Sequence, residues 1–105
     1  MKNPRIEKRA LAKQDLREQA EYIRQDSPRS ALRFLEAAEK AFNDLALQPG
    51  LGIPEVCDSP HLAELRCWPI RGFEKHLIFY FSKPDGIEVI RVLHGSRDIQ
   101  AILNR

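Results

Sequence analysis

The sequence has no apolar run long enough for a membrane. Spanning a bilayer takes roughly 20 consecutive apolar residues, and charged residues, 30% of the chain, interrupt every candidate stretch. The start, Met1 to Arg9, lacks the apolar segment of a signal peptide. A cytoplasmic protein without a membrane partner is expected. Cysteine is scarce as well. Cys57 and Cys67 are the only two, they form no CxxC pair, and they do not suggest a zinc site. In a cytoplasmic protein both are expected to be reduced thiols. Of the five glycines, none builds a phosphate-binding loop; the Gly52-Ile53-Pro54 turn has the wrong pattern. His61 and His76 stand at no ligand-like spacing from a carboxylate or thiol, so no metal and no cofactor is expected. No Ser-His-Asp or Cys-His arrangement can be argued from spacing, and no catalytic residue is assigned.

Charge of one sign is not in excess either. Seventeen Lys and Arg against fifteen Asp and Glu leave a formal charge of +2. A dedicated DNA binder concentrates its cations on one face or arm, whereas here they alternate with carboxylates along most of the chain. Direct sequence-specific DNA binding is therefore not expected. What is present is an ordinary globular composition, 43% hydrophobic. At 105 residues it forms one domain, residues 1–105, that buries roughly 60–70% of its unfolded surface. Such a core is thin, and a partner would reinforce it.

Proline and glycine punctuate the chain at Asp26–Pro28, Gln48–Pro54, Ile70–Gly72 and Lys83–Gly86. Loose alternation over Arg5 to Leu11 predicts a short first strand. Ala12, Leu16, Ala20 and Ile23 then form one helical stripe. Pro28 disfavours helix at Ser27 and suits the first turn of a new helix, with Ser27 as its N-cap. That second helix runs from about Pro28 to Leu47, its apolar face being Ala31, Phe34, Leu35, Ala38, Ala41, Phe42 and Leu45. Two such helices joined by a short turn make an antiparallel hairpin. The period then changes. Leu65 to Ile70 reads as a strand, with Pro69 acceptable only at an edge or an irregularity. His76 to Phe81 is apolar on both faces, as a central strand is. Ile87 to Leu93 is the next strand, and Ser96 to Leu103 a short last helix. The expected class is α+β, in the order β-α-α-β-β-β(-α): an antiparallel meander with the N-terminal helical hairpin packed on one face.

Two groups of residues are candidates for function. His94, Arg97 and Asp98 follow the last strand, where a rigid sheet can aim side chains; a cation beside a titratable imidazole can meet phosphate or move a proton. The competing reading is that Arg97 and Asp98 are solvated or fix the terminal helix. Arg66, Arg71, Lys75 and Arg91 lie on or beside the sheet and can join Arg97 in a basic surface suited to RNA or an acidic protein. Equally, they can be ordinary solvent-facing strand charges. Trp68, Phe79 and Tyr80 could stack on bases, but aromatics in apolar strands are usually core; Trp68, beside Pro69, is the exception to expect. Nothing marks Cys57 as a nucleophile.

Several segments in this order carry a resemblance. They are Ala12 to Leu16 with Tyr22-Ile23, Asp26 to Pro28 with Ala31 and Phe34, Leu45 to Gly52, Leu65-Arg66 with Trp68 to Phe73, Leu77 to Tyr80, and Ile90 to Ile99. Over nearly its full length the chain resembles ParE-type toxins of the RelE/ParE superfamily. The resemblance implies the toxin half of a type II toxin–antitoxin module, held inactive by a ParD-like antitoxin. ParE toxins are understood to poison DNA gyrase, here expected through its A subunit, while RelE relatives cleave mRNA on the ribosome.

RelE-like chemistry draws on lysines before and on the second strand, an Arg at the start of the third, an Arg after the fourth and a Tyr near the C-terminus. Arg97 matches the post-strand Arg, and Lys75 is the nearest substitute for the other. The segment from Gly50 to Leu65 has no Lys or Arg, and the Tyr position falls at about Leu103. The pattern favours a non-enzymatic gyrase inhibitor. The alternatives are a ribosome-dependent mRNA endonuclease in which His94 and His76 replace the Tyr, or an inactivated toxin that only titrates antitoxin. The target surface is expected to comprise Arg66, Trp68, Arg71, Lys75, Arg91, His94, Arg97 and Asp98. An antitoxin helix is expected on or beside the hairpin, meeting Leu16, Ala20, Ile23, Phe34 and Trp68, with a partner strand added at a sheet edge.

Overall fold

Ser27 sets the first corner of the chain. In the computed structural model, which describes residues 3–104, Ser27 is extended and its hydroxyl accepts the Ser30 amide at 3.1 Å, a cap worth about 1 kcal/mol. Helix α1 (Ala10–Asp26) ends there and helix α2 (Pro28–Leu47) begins, with the bounds that the proline and the apolar spacing predict for α2. Strand β1 (Arg5–Lys8) is shorter than the expected Arg5 to Leu11. Arg9 explains this: its N–H donates to the Val89 carbonyl at 3.0 Å while its own carbonyl accepts the Lys13 N–H at 3.1 Å. One residue thus leaves the sheet and opens the helix.

The chain continues through β2 (Ile53–Pro54), β3 (Arg66–Ile70), β4 (Phe73–Lys83), β5 (Gly86–His94) and α3 (Ile99–Leu103). The α+β class and the β3-β4-β5 antiparallel meander are as expected. The sheet as a whole is mixed, in the order β1-β5-β4-β3-β2, because β1 lies parallel to β5. That corrects a purely antiparallel sheet. The close approach is possible because residue 86 is glycine, at φ +156°: a Cβ there would overlap the Arg5 backbone. Pro69 meets both conditions set for it. It lies beyond the two residues of β3 that pair with β2, and the register to β4 shifts between Pro69 and Ile70.

Strand β4 is buried on both faces. Between helices and sheet, Ala12, Leu16, Phe34, Phe42 and Leu45 pack against Ile78, Tyr80, Val89 and Val92. On the far face Leu62 and Leu65 join Phe79, Ile90, Leu93, Ile102 and Leu103, so α3 and the loop before β3 add a partial third layer. Leu35, expected on the apolar stripe of α2, is instead exposed.

Strand β1 pairs with β5 only as far as Val89, and side chains of α1 cover the edge beyond it. Asp15 Oδ2 accepts the Val92 N–H at 3.0 Å, and Gln19 Nε2 donates to the Val92 carbonyl at 2.7 Å. One helical turn thus satisfies the two backbone groups that Val92 turns away from β4, on the side where β1 no longer runs. The Asp15 carboxylate also receives Arg91 Nε and Nη2 at 2.8 and 2.9 Å, a bidentate pair whose side chains are only 8% and 18% exposed. The hydrogen bond to Asp15 holds the Arg91 guanidinium further above its ordinary range, against the opposing effect of burial. Arg91, expected on a target surface, instead fixes α1 to β5.

Candidate functional site

The open end of the β4-β5 hairpin gathers two histidines that lie far apart in sequence. Gly95 N–H donates to the Lys75 carbonyl at 2.7 Å, which makes Lys75 and Gly95 the last hydrogen-bonded pair of the ladder. His76 and His94, the next pair inward, are then of the non-hydrogen-bonded kind, whose side chains stand closest. Their rings meet edge to face, with centroids 4.9 Å apart at 89°.

Neighbouring groups fix the tautomers. A backbone carbonyl only accepts, so Gln19 turns its NH2 to Val92 and its Oε1 to His76 Nδ1, at 2.7 Å. His76 therefore donates through Nδ1–H and carries its lone pair on Nε2. Ser96 N–H donates to His94 Nδ1 at 3.0 Å, with the Ser96 hydroxyl 2.7 Å from the same atom, which places the proton of neutral His94 on Nε2. Phe34, with its ring 4.7 Å away, and Phe73 flank His76. Burial, and then the neighbouring His94, push the His76 pKa below its ordinary value, so this imidazole is held neutral.

The expected target residues separate into three sets. Lys75, His94 and Arg97 come together at the strand end. Lys75 and Arg97 are exposed, and Lys75 lines a shallow pocket with Phe73, Glu74, His76 and His94. Trp68 and Arg71 lie elsewhere, in a groove between α2 and β3 lined also by Ala37, Lys40, Ala41 and Asp44. Arg66, Arg91 and Asp98 serve the fold. Arg66 Nη1 donates to the carbonyls of Gly50 and Gly52 at 3.3 and 2.5 Å, helping Tyr80 to clip that loop. Tyr80 Oη accepts the Gly52 N–H and donates to the Pro49 carbonyl, both at 2.8 Å. Asp98 caps α3 by accepting the Ala101 N–H at 3.2 Å and is exposed.

The residues expected to meet an antitoxin also divide. Leu16, Ala20 and Phe34 are buried in the helix–sheet core and Ile23 packs partly against it. The hairpin itself explains this burial, since its apolar stripe faces the sheet beneath. Trp68 alone reaches the surface groove. It continues into a second depression with Leu47, Gln48 and Leu51, and Leu47, Ile53 and Val56 are 69%, 69% and 85% exposed.

The roles of Asp15 and Gln19 went unrecognised in the sequence, and His76 and His94 were paired there only as substitutes for the missing Tyr, not as rings in contact. For Asp15 a signal exists: it interrupts the apolar stripe between Ala12 and Leu16, where a carboxylate needs a buried partner. The cysteines are poor nucleophiles. Burial, and then Glu55, push the Cys67 thiol up to about 11; burial, Glu55 and Asp58 also raise Cys57. A thiol at that value is on the order of one part in a thousand thiolate at pH 8. In native protein at pH 8, Cys67 is expected to react with iodoacetamide on the order of a hundredfold more slowly than after unfolding. Mass spectrometry of the time course checks this, and equal rates would contradict the burial described.

No helix among the described residues is long and apolar enough to cross a membrane. A family model described as the ParE toxin of the type II toxin-antitoxin system, parDE, matches residues 6–99, from β1 to the first residue of α3. No curated protein matches the chain.

Proposed function

The chain belongs to the ParE toxin family of type II toxin–antitoxin systems, and from that premise we propose that it arrests growth without catalysis. It binds DNA gyrase, through the A subunit, and blocks replication until a ParD-like antitoxin covers it.

What supports this reading is how little of the RelE-like ribonuclease set the chain carries. Cleaving RNA needs a positioned acid or base and cations on the transition-state phosphate. Arg97 is the one cation that matches such a role. Gly50 to Leu65 supplies no Lys or Arg, and Leu103, at the position of the missing Tyr, is buried in the far-face core. The histidines do not replace it. His76 Nδ1 is held by Gln19, and two imidazoles in contact at 4.9 Å leave no room for a phosphate between them. Exposed Lys75, Ser96 and Arg97 around His94, on the end of a rigid hairpin, suit docking on a protein.

Induction of the chain in cells tests the choice. Growth arrest with mRNA left intact by primer extension is the expected result, relieved by an Arg97→Ala, His94→Ala double variant that still folds. Codon-positioned cuts would assign a ribonuclease instead. No arrest would assign a chain that only titrates antitoxin.

The antitoxin is proposed to lay the apolar face of an amphipathic helix in the groove between α2 and β3, anchored on Trp68. Beyond its two residues paired with β2, β3 has an open outer edge at Trp68–Ile70, where a partner strand can add.

A further inference from the structure

We propose that His76 and His94 form a two-imidazole site for a divalent transition cation of the zinc or nickel kind, independent of the gyrase reading. Directly opposed residues of a non-hydrogen-bonded antiparallel pair have side chains that stand closest, and both rings lie on one face of the hairpin end. With metal–nitrogen bonds of about 2.05 Å and ring nitrogens about 1.1 Å from the centroid, two imidazoles at a tetrahedral angle have centroids about 5 Å apart. The observed separation is 4.9 Å. The strand pairing thus already holds the two rings at the separation that a shared cation needs.

The surroundings of the rings favour the same use. A metal-binding imidazole commonly donates its second N–H to an oxygen, which fixes its orientation and raises its basicity. His76 already does so, through Nδ1–H to Gln19 Oε1, with Gln19 locked in turn by the Val92 carbonyl. His94 has the equivalent oxygen in Ser96 Oγ, 2.7 Å from Nδ1. Moving its proton from Nε2 to Nδ1 keeps that contact and gives up only the bond from the exposed Ser96 N–H. Both Nε2 atoms are then free to bind.

No cluster of three or more His, Cys, Asp or Glu suited to a metal occurs among the described residues, and the nearby Glu74 carboxylate is engaged by the Gly72 N–H at 2.7 Å. The cation would thus keep water in its remaining positions, open to an outside carboxylate or phosphate. Imidazole donors without thiolate or carboxylate suit zinc, nickel and copper over magnesium or calcium.

Calorimetric titration of the full-length, tag-free protein with zinc chloride, and separately with nickel chloride, tests the site. One cation per chain is expected, with affinity reduced at least tenfold in His94→Gln and in His76→Gln and unchanged in His61→Gln. The cation should raise the melting temperature of the unaltered protein but not of His94→Gln. Should His76→Gln fail to fold, the half-buried His94 decides alone. Absence of binding, affinity that survives His94→Gln, or affinity lost instead in His61→Gln or Cys57→Ser would overturn the proposal.

Discussion

Asp15→Ala is expected to be among the most destabilising single truncations in the chain. It strands the Arg91 guanidinium, only 18% exposed, and leaves the Val92 N–H without its acceptor. Breaking a buried pair on one side costs about 3–5 kcal/mol, against a total stability of roughly 5–15 kcal/mol for a domain. At about 4–8 °C per kcal/mol for a chain near this size, the melting temperature should fall by about 15 °C or more. Asp15→Asn should lie between, because an amide oxygen at the Oδ2 position still accepts from Arg91 Nε and the Val92 N–H, two of the three hydrogen bonds. Asp15→Leu combined with Arg91→Met should recover much of the loss, since apolar replacement of a buried ion pair is often neutral, and should fall short only by the Val92 N–H. Urea unfolding followed by circular dichroism measures all three. A loss under about 1 kcal/mol for Asp15→Ala would mean that the pair does not hold α1 on β5.

The second large effect is expected at the groove. Trp68→Ala should weaken the antitoxin complex about thirtyfold or more, the equivalent of roughly 2 kcal/mol for a central aromatic anchor, while growth arrest persists. Because Trp68 also packs partly on the core, Leu47→Glu provides the separating variant. Leu47 is 69% exposed, so a charge there should leave the melting temperature unchanged and still weaken the complex. Retained neutralisation in both variants, measured by co-expression and by calorimetry with the purified antitoxin, would remove the antitoxin from this groove.

The helical hairpin is legible in the sequence because its information is local. Ser27 and Pro28 cap and start a helix whatever lies beyond them, and the spacing from Ala31 to Leu45 marks a buried face. The meander is legible for the same reason, through the turn residues at Ile70–Gly72 and Lys83–Gly86. Long-range pairing is not. Nothing in Arg5 to Lys8 announces that its neighbour is Gly86 to Val89, or that its direction is parallel. The role of Asp15 depends on where β1 stops, and the meeting of His76 with His94 depends on the register of β4 against β5. A basic surface inferred from residue types likewise divides once each cation has a place. Arg66 is consumed by loop carbonyls and Arg91 by Asp15, while Arg71 belongs to the groove, so Lys75 and Arg97 alone remain beside His94. The family pattern over Ile90 to Ile99 thus joins a buried strand, whose Arg91 is structural, to a short exposed turn that is free to bind.

The most direct test of the proposed activity is a supercoiling assay with purified DNA gyrase, relaxed plasmid and the folded protein. Loss of supercoiling, or trapped cleaved DNA, that rises with added protein and disappears in the Arg97→Ala, His94→Ala variant is the result expected. Undiminished supercoiling at large molar excess, with folding verified by circular dichroism, would contradict gyrase as the target.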